Sequence, residues 1–129
     1  MTRYLLDTTA LIDFSKNREP ARSWILSAIA AGDELAVCAV NVTEFYSGIP
    51  ANARPVWDAF FQALGFWEIT RGAAMQAGVY RYDYARRGRA LTTMDTIVAA
   101  VARHHQATVV TNNRKDYPMP GLQLLPLQS

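Results

Sequence analysis

The chain has 129 residues, half of them hydrophobic, with 13 Lys and Arg against 11 Asp and Glu and a formal net charge of +2. That is chain enough for one core, so a single domain over residues 1–129 is expected, and no run is apolar enough for a membrane span or patterned as a secretory leader. A cytoplasmic protein is the expectation, and Cys38, the only cysteine, allows neither an internal disulfide nor a thiolate metal site.

The run Arg3, Tyr4, Leu5, Leu6 is stopped by Asp7, Thr8 and Thr9, after which Ala10, Leu11 and Phe14 recur at helical spacing. This is a strand feeding a helix. Pro20 suits the first turn of a second helix with Trp24, Ile25, Ala28 and Ile29 on one face and Gly32 at its end. Residues 35–40 read as a buried strand holding Cys38 as an inert thiol, and Asn41 opens a helix through Phe45 that Gly48 and Pro50 stop. Val56, Trp57, Phe60, Phe61 and Leu64 form an apolar stripe ended by Gly65, followed by a brief strand over 66–69. Residues 72–87 form a long helix with Ala74, Ala77, Tyr80 and Tyr84 along one side and arginines on the other. Ile97, Val98, Val101 and Ala102 mark a further helix, 107–111 a β-branched strand, and 122–125 an edge strand. Alternating strands and helices predict an α/β fold, a mostly parallel central sheet flanked by helices.

In such a sheet, ligands bind beyond the carboxyl ends of the strands, where the strand order switches. Asp7 ends the first strand, Glu44 follows the second by one helical turn, Asp95 opens the helix before the last central strand, and Asp116 follows that strand. Four carboxylates converging there suit Mg²⁺ or Mn²⁺, hard ions that prefer oxygen ligands and keep several waters. Each acid also has a purely structural reading. The stretches 41–44 and 92–95 resemble capping boxes, Asp7 could be an N-cap, and Asp116 could form an Asx turn before Tyr117 and Pro118. A capping role would accept Ser, Thr or Asn equally, so a carboxylate at all four positions favours a shared site. With those four withdrawn to a metal, only seven of the 11 acids remain to balance 13 basic residues, nearly all Arg. Such a surface attracts a polyanion.

Four segments carry a family resemblance: 4–12 (YLLDTTALI), 40–48 (VNVTEFYSG), 91–100 (LTTMDTIVAA) and 110–117 (VTNNRKDY). In order and spacing they resemble the signature blocks of PIN-domain proteins, specifically VapC-type toxins, and they span essentially the whole chain. The resemblance implies a Mg²⁺- or Mn²⁺-dependent ribonuclease of a toxin–antitoxin module, usually a homodimer and silenced by a cognate antitoxin. It maps the family's acids onto Asp7, Glu44, Asp95 and Asp116, with Thr8, Thr9, Thr111 and Asn113 as supporting positions. Thr43 departs from the pattern, where a small apolar residue is more usual.

Phosphodiester hydrolysis needs a water made nucleophilic near neutral pH and relief of charge on a pentavalent phosphorus, which explains the demand for metal. Asp7 and Asp95 are assigned the main metal-binding roles, Glu44 a ligand or water-orienting role, and Asp116 a second-metal or outer-shell role. Arg81, Arg86, Arg87 and Arg89, with Arg114 and Lys115, are candidate RNA contacts, each with a solvated helix face as its plain alternative. Tyr80, Tyr82 and Tyr84 interleave with them and offer rings for unpaired bases, although alternate helix positions diverge and at least one belongs to the core. His104 and His105 end a helix, where imidazolium suits the dipole. Trp57, Phe60, Phe61 and Trp67 are assigned to the core, with a dimer or antitoxin surface as the alternative.

Other enzyme classes fit less well. A phosphatase of the haloacid dehalogenase type needs a second Asp where Thr9 stands, and a response-regulator receiver needs adjacent acids near its start. A module that merely binds RNA or protein would not need all four acids.

Overall fold

A computed structural model describes residues 2–127, so the outermost ends of the expected 1–129 domain lie outside the described residues. Five strands, β1 (Arg3–Leu6), β2 (Glu34–Cys38), β3 (Gly65–Trp67), β4 (Thr108–Thr111) and β5 (Gln123–Pro126), form one sheet in the order β3-β2-β1-β4-β5. Every pairing is parallel, where the sequence promised only a mostly parallel sheet. Six helices cover it: α1 (Thr8–Ser15), α2 (Ala21–Ala30), α3 (Ala39–Tyr46), α4 (Arg54–Gln62), α5 (Arg71–Arg86) and α6 (Thr93–His104).

Strand side chains alternate between faces, and here both faces are dry. Leu5, Ala36, Cys38 and Val109 enter a core with Ala73, Ala77, Tyr80 and Tyr84 of α5 and Val98 to Ala102 of α6. Leu6, Leu35, Val37 and Val110 point the other way, into a core closed by Leu11 of α1, Ile25 of α2 and Phe45 of α3. Leu5, Leu6, Val109 and Val110 are fully buried, and each side chain so buried stabilises the fold by about 1.5–3 kcal/mol. β1 therefore sits between the two layers, and the loops leaving it and β4 are fixed with little freedom.

Several elements differ from their sequence reading, among them α2, whose Ile29 is exposed rather than on the buried face of Ile25 and Ala28. Helix α3 begins at Ala39 rather than Asn41, because Cys38 is the N-cap and Asn41 reaches back from the third position. Its Oδ1 accepts both the Cys38 N–H and the Cys38 Sγ–H, each at 3.2 Å. On α5 the buried series is Ala73, Ala77, Tyr80 and Tyr84, with Ala74 exposed, because that face packs into the core with α6; Thr70 caps the helix through the Ala73 N–H. His105 is the C-cap of α6, where its charged, dipole-complementing form is disfavoured rather than favoured. Burial first, then the Arg3 guanidinium, hold its pKa below the ordinary value, and its ring stacks on Trp67 at 4.1 Å. The aromatic stripe of α4 is only half-buried: Trp57, Phe60 and Phe61 form a cluster with Phe14 and Phe45, whereas Trp67 is core.

Candidate active site

Chain order leaves β1 outward through β2 and β3, then crosses back to place β4 on its other side. The crevice between the carboxyl ends of β1 and β4 is therefore the topological switch point. A cavity of about 320 Å³ opens there, lined by Asp7, Glu44, Asp95 and Asp116 together with Thr8, Thr9, Asn41, Thr92 and Tyr117.

Asp7 caps α1 and is 3 % exposed. Its Oδ1 accepts the Ala10 N–H at 3.1 Å and the Thr9 hydroxyl at 2.7 Å, and its Oδ2 accepts the Tyr117 hydroxyl at 3.1 Å. Burial raises its pKa, opposed by the Thr111 and Thr9 hydroxyls, the Ala10 N–H and the Tyr117 hydroxyl. The capping reading and the shared-site reading thus hold together for this residue: Oδ1 serves the helix, while the residue lines the crevice. Tyr117 is itself buried, and that burial, followed by the Asp7 and Asp95 charges, raises its pKa well above the usual value. It stays a hydrogen-bond donor.

Glu44 lies in the second turn of α3, and the Thr8 hydroxyl donates to its Oε1 at 2.6 Å. Because Asn41 completes the cap with Cys38, Glu44 is not the acid of a capping box. Asp95 stands in the first turn of α6 behind the N-cap Thr92, whose Oγ1 accepts the Asp95 N–H at 3.1 Å. Its pKa is pushed up to about 6, by burial first and then by the charges of Asp116, Asp7 and Glu44, against the lowering effect of Thr92. The helix dipole there favours the anion, so burial and the other acids override it. Asp116 ends a short 3₁₀ turn, Arg114–Asp116, and is half-buried, and its carboxylate makes no turn-closing hydrogen bond among the described residues.

Among the described residues no three acids already close on a common point as a ready-made cage. They surround a space instead. The donors are all oxygen, and Asp95 registers the other three as unrelieved negative charge, a combination suited to a hard divalent cation that keeps part of its water shell. Asp7, Glu44, Asp95 and Asp116 could hold such an ion.

The supporting positions separate. Thr8 and Thr9 hydrogen-bond Glu44 and Asp7, and Thr111 is buried at the end of β4 and acts to lower the Asp7 pKa, but Asn113 is exposed, contributes its backbone N–H to the Thr111 hydroxyl at 2.9 Å and does not line the cavity. Its neighbour Asn112 is the asparagine that reaches toward the site, through Thr9. Tyr117 and Asn41 were not picked out from sequence. Tyr117 stood inside the last motif, and the signal was that a buried acid needs donors. Thr43 turns back onto the Ala39 carbonyl at 2.8 Å, so its departure from the pattern leaves the crevice untouched.

The arginines also divide. Arg81 donates to the Leu91 carbonyl and the Thr93 hydroxyl, and Arg89 to the Lys115 carbonyl, so both tie loops together. Arg86 lies over the exposed ring of Tyr82 and Arg87 over Tyr84, while Arg114 and Lys115 are exposed beside Asp116.

A family model described as PIN domain matches residues 4–117. The chain belongs to the PIN domain family. This PIN domain is 28% identical over 120 residues to Ribonuclease VapC19 of Mycobacterium tuberculosis, covering 92% of this chain and 96% of that one. It is 26% identical over 126 residues to the tRNA(fMet)-specific endonuclease VapC of Shigella flexneri, covering 94% of each. Its fold matches a chain in the structure of VapBC2 from Rickettsia felis bound to a promoter DNA fragment, with a TM-score of 0.82, 21% identity, and 97% and 98% of the two chains covered. No described helix is long and apolar enough to cross a membrane.

Proposed function

We propose that this PIN domain is a VapC-type endoribonuclease, the toxin of a toxin–antitoxin pair, which hydrolyses RNA with Mg²⁺, or Mn²⁺ in its place. The observation that carries the reading is the convergence of Asp7, Glu44, Asp95 and Asp116 on one cavity at the switch point of the sheet. The ribonuclease names of the curated relatives support it. Asp7 and Asp95 would hold the ion, with Glu44 as a further ligand or water-orienting group and Asp116 serving a second ion or an outer water. When bound, the ion lowers the pKa of a water and neutralises charge on the phosphate. The chain's own part is orientation. Thr9 and Tyr117 hold Asp7, and Thr8 holds Glu44 through Oε1, leaving Oε2 to take the proton of a water aimed at phosphorus. Arg86, Arg87, Arg114 and Lys115 supply phosphate contacts; Arg81 and Arg89 act by holding the loops that carry the site. The protein works in the cytoplasm as a homodimer restrained by an antitoxin.

Incubating the protein with total RNA tests this. Cleavage at mapped sites should require Mg²⁺ or Mn²⁺, stop on chelation, and vanish in Asp7→Asn and Asp95→Asn while both variants stay folded. Full cleavage by both variants would refute the assignment.

A further inference from the structure

Behind the acidic cavity lies a polar chain that the proposed chemistry does not use. Asp13, on α1 four residues after Thr9 and hence on the same side of the helix, is 9 % exposed, and its Oδ2 accepts Nδ2–H of Asn112. Asn112 follows β4, whose register with β1 brings it over the first turn of α1. Its Nδ2 also donates to the Thr9 carbonyl at 3.4 Å, and its backbone N–H donates to Thr9 Oγ1 at 3.1 Å. A hydroxyl has one proton, so a Thr9 oxygen that accepts from Asn112 must send that proton elsewhere, and it goes to Asp7 Oδ1 at 2.7 Å.

Stability alone is a poor account of this arrangement. Asp13 occupies the last turn of α1, where an acid opposes the helix dipole. It adds a further negative charge behind a cavity already crowded with them, balanced among the described residues by Arg18 at 3.4 Å, whose side chain is 59% exposed. Among the described residues the buried Asn112 Oδ1 has no partner, so that side chain is held by its amide donors.

We infer that Asp13 and Asn112, neither of which lines the cavity, are a positioning pair that aims the Thr9 hydroxyl at Asp7 and thereby sets the affinity of the site for a divalent cation. The inference rests on the reading of Asp7 as an ion ligand. Outer groups of this type commonly govern metal affinity as strongly as some direct ligands do.

The test is Mn²⁺ binding to the full chain, followed by electron paramagnetic resonance of the free ion, with thermal melting recorded in parallel and Asp7→Asn as control. Asn112→Ala and Asp13→Ala should each weaken Mn²⁺ binding about ten- to a hundred-fold. The double variant should be no weaker than the weaker single, because both act through one hydrogen-bonded path. Asp13→Asn retains an acceptor for Asn112 and should restore binding to within about threefold of the parent, which assigns the effect to the hydrogen-bonded path rather than to the Asp13 charge. If Asp13→Ala does not fold, Asn112→Ala, which keeps the backbone N–H, decides the matter. Parent-like affinity in the alanine variants, with binding lost in Asp7→Asn, overturns the positioning role and leaves the ion site standing. Parent-like affinity in Asp7→Asn removes the ion site and this inference with it.

Discussion

At the scale of single residues, the site is built against its own stability. Asp95 carries a pKa of about 6 in the fold against 3.8 as a free side chain, raised by burial and then by Asp116, Asp7 and Glu44. The folded state therefore holds a proton that the unfolded chain gives up earlier. That contribution to stability is fully present below about pH 3.8 and is lost as pH rises through about 6, so near neutrality the ionised Asp95 opposes folding. Asp95→Asn removes the charge but keeps the shape and leaves the Thr92 cap in place. Its melting temperature should exceed that of the parent at pH 7 and approach it near pH 4, as read by parallel thermal melts without metal. An Asp95→Asn variant that is less stable at pH 7 would mean that the carboxylate acts as a structural acceptor. Asp7 separates cap from charge in the same way: Asn is as good a cap as Asp, whereas Asp7→Ala loses the Ala10 bond at about 0.5–2 kcal/mol.

Whole elements decide how the basic residues are used. The end of α5 exposes Tyr82, 60% accessible, with Arg86 over its ring, and Arg87 lies over Tyr84. Both guanidinium groups remain free of carboxylates among the described residues, so Arg86→Gln and Arg87→Gln should each weaken RNA binding and lower the slope of log affinity against log salt by about one, without changing Mn²⁺ affinity. Arg81→Gln should leave that slope alone and instead lower stability by about 0.5–1.5 kcal/mol for each lost hydrogen bond, because its guanidinium fastens the loop before α6. Salt titrations of binding and denaturant melts distinguish the two outcomes. The sequence shows why these roles could be told apart only afterwards. Asp7, Asp95 and Asp116 were legible because each stands where a strand ends, a helix starts or a turn closes, whereas Glu44 lies inside α3 and was placed by its distance from β2. The partners of the arginines were not legible, since Leu91 is ten residues from Arg81 and Lys115 is 26 from Arg89. The start of α3 was obscured for a different reason: a cysteine is an unusual cap, so Asn41 looked like the first residue of the helix when it is the third. Tyr117 was hidden because a motif shows an aromatic, while its hydroxyl acquires meaning only from an acid 110 residues away.

Taken as a whole molecule, the fold sets a strongly negative crevice in a chain whose formal charge is +2. The parallel sheet makes this possible: α1 and α6 start, and β1 and β4 end, at the same edge, so acids far apart in sequence share one mouth. The same crevice that suits a divalent ion suits a guanidinium, which is planar, permanently charged and able to bind a carboxylate through two parallel hydrogen bonds. An antitoxin that places an Arg there would neutralise Asp95 and its neighbours as a cation does, and would occupy the space the phosphate needs. Inhibition by the purified partner should then weaken as Mg²⁺ rises, and replacing that Arg with Ala should abolish the metal dependence of inhibition while leaving the partner bound through its remaining contacts. Cleavage assays across a matrix of partner and Mg²⁺ concentrations measure this directly. Inhibition that is insensitive to Mg²⁺ and survives replacement of every arginine near the crevice would show that the partner acts elsewhere, for example by covering the basic surface of α5.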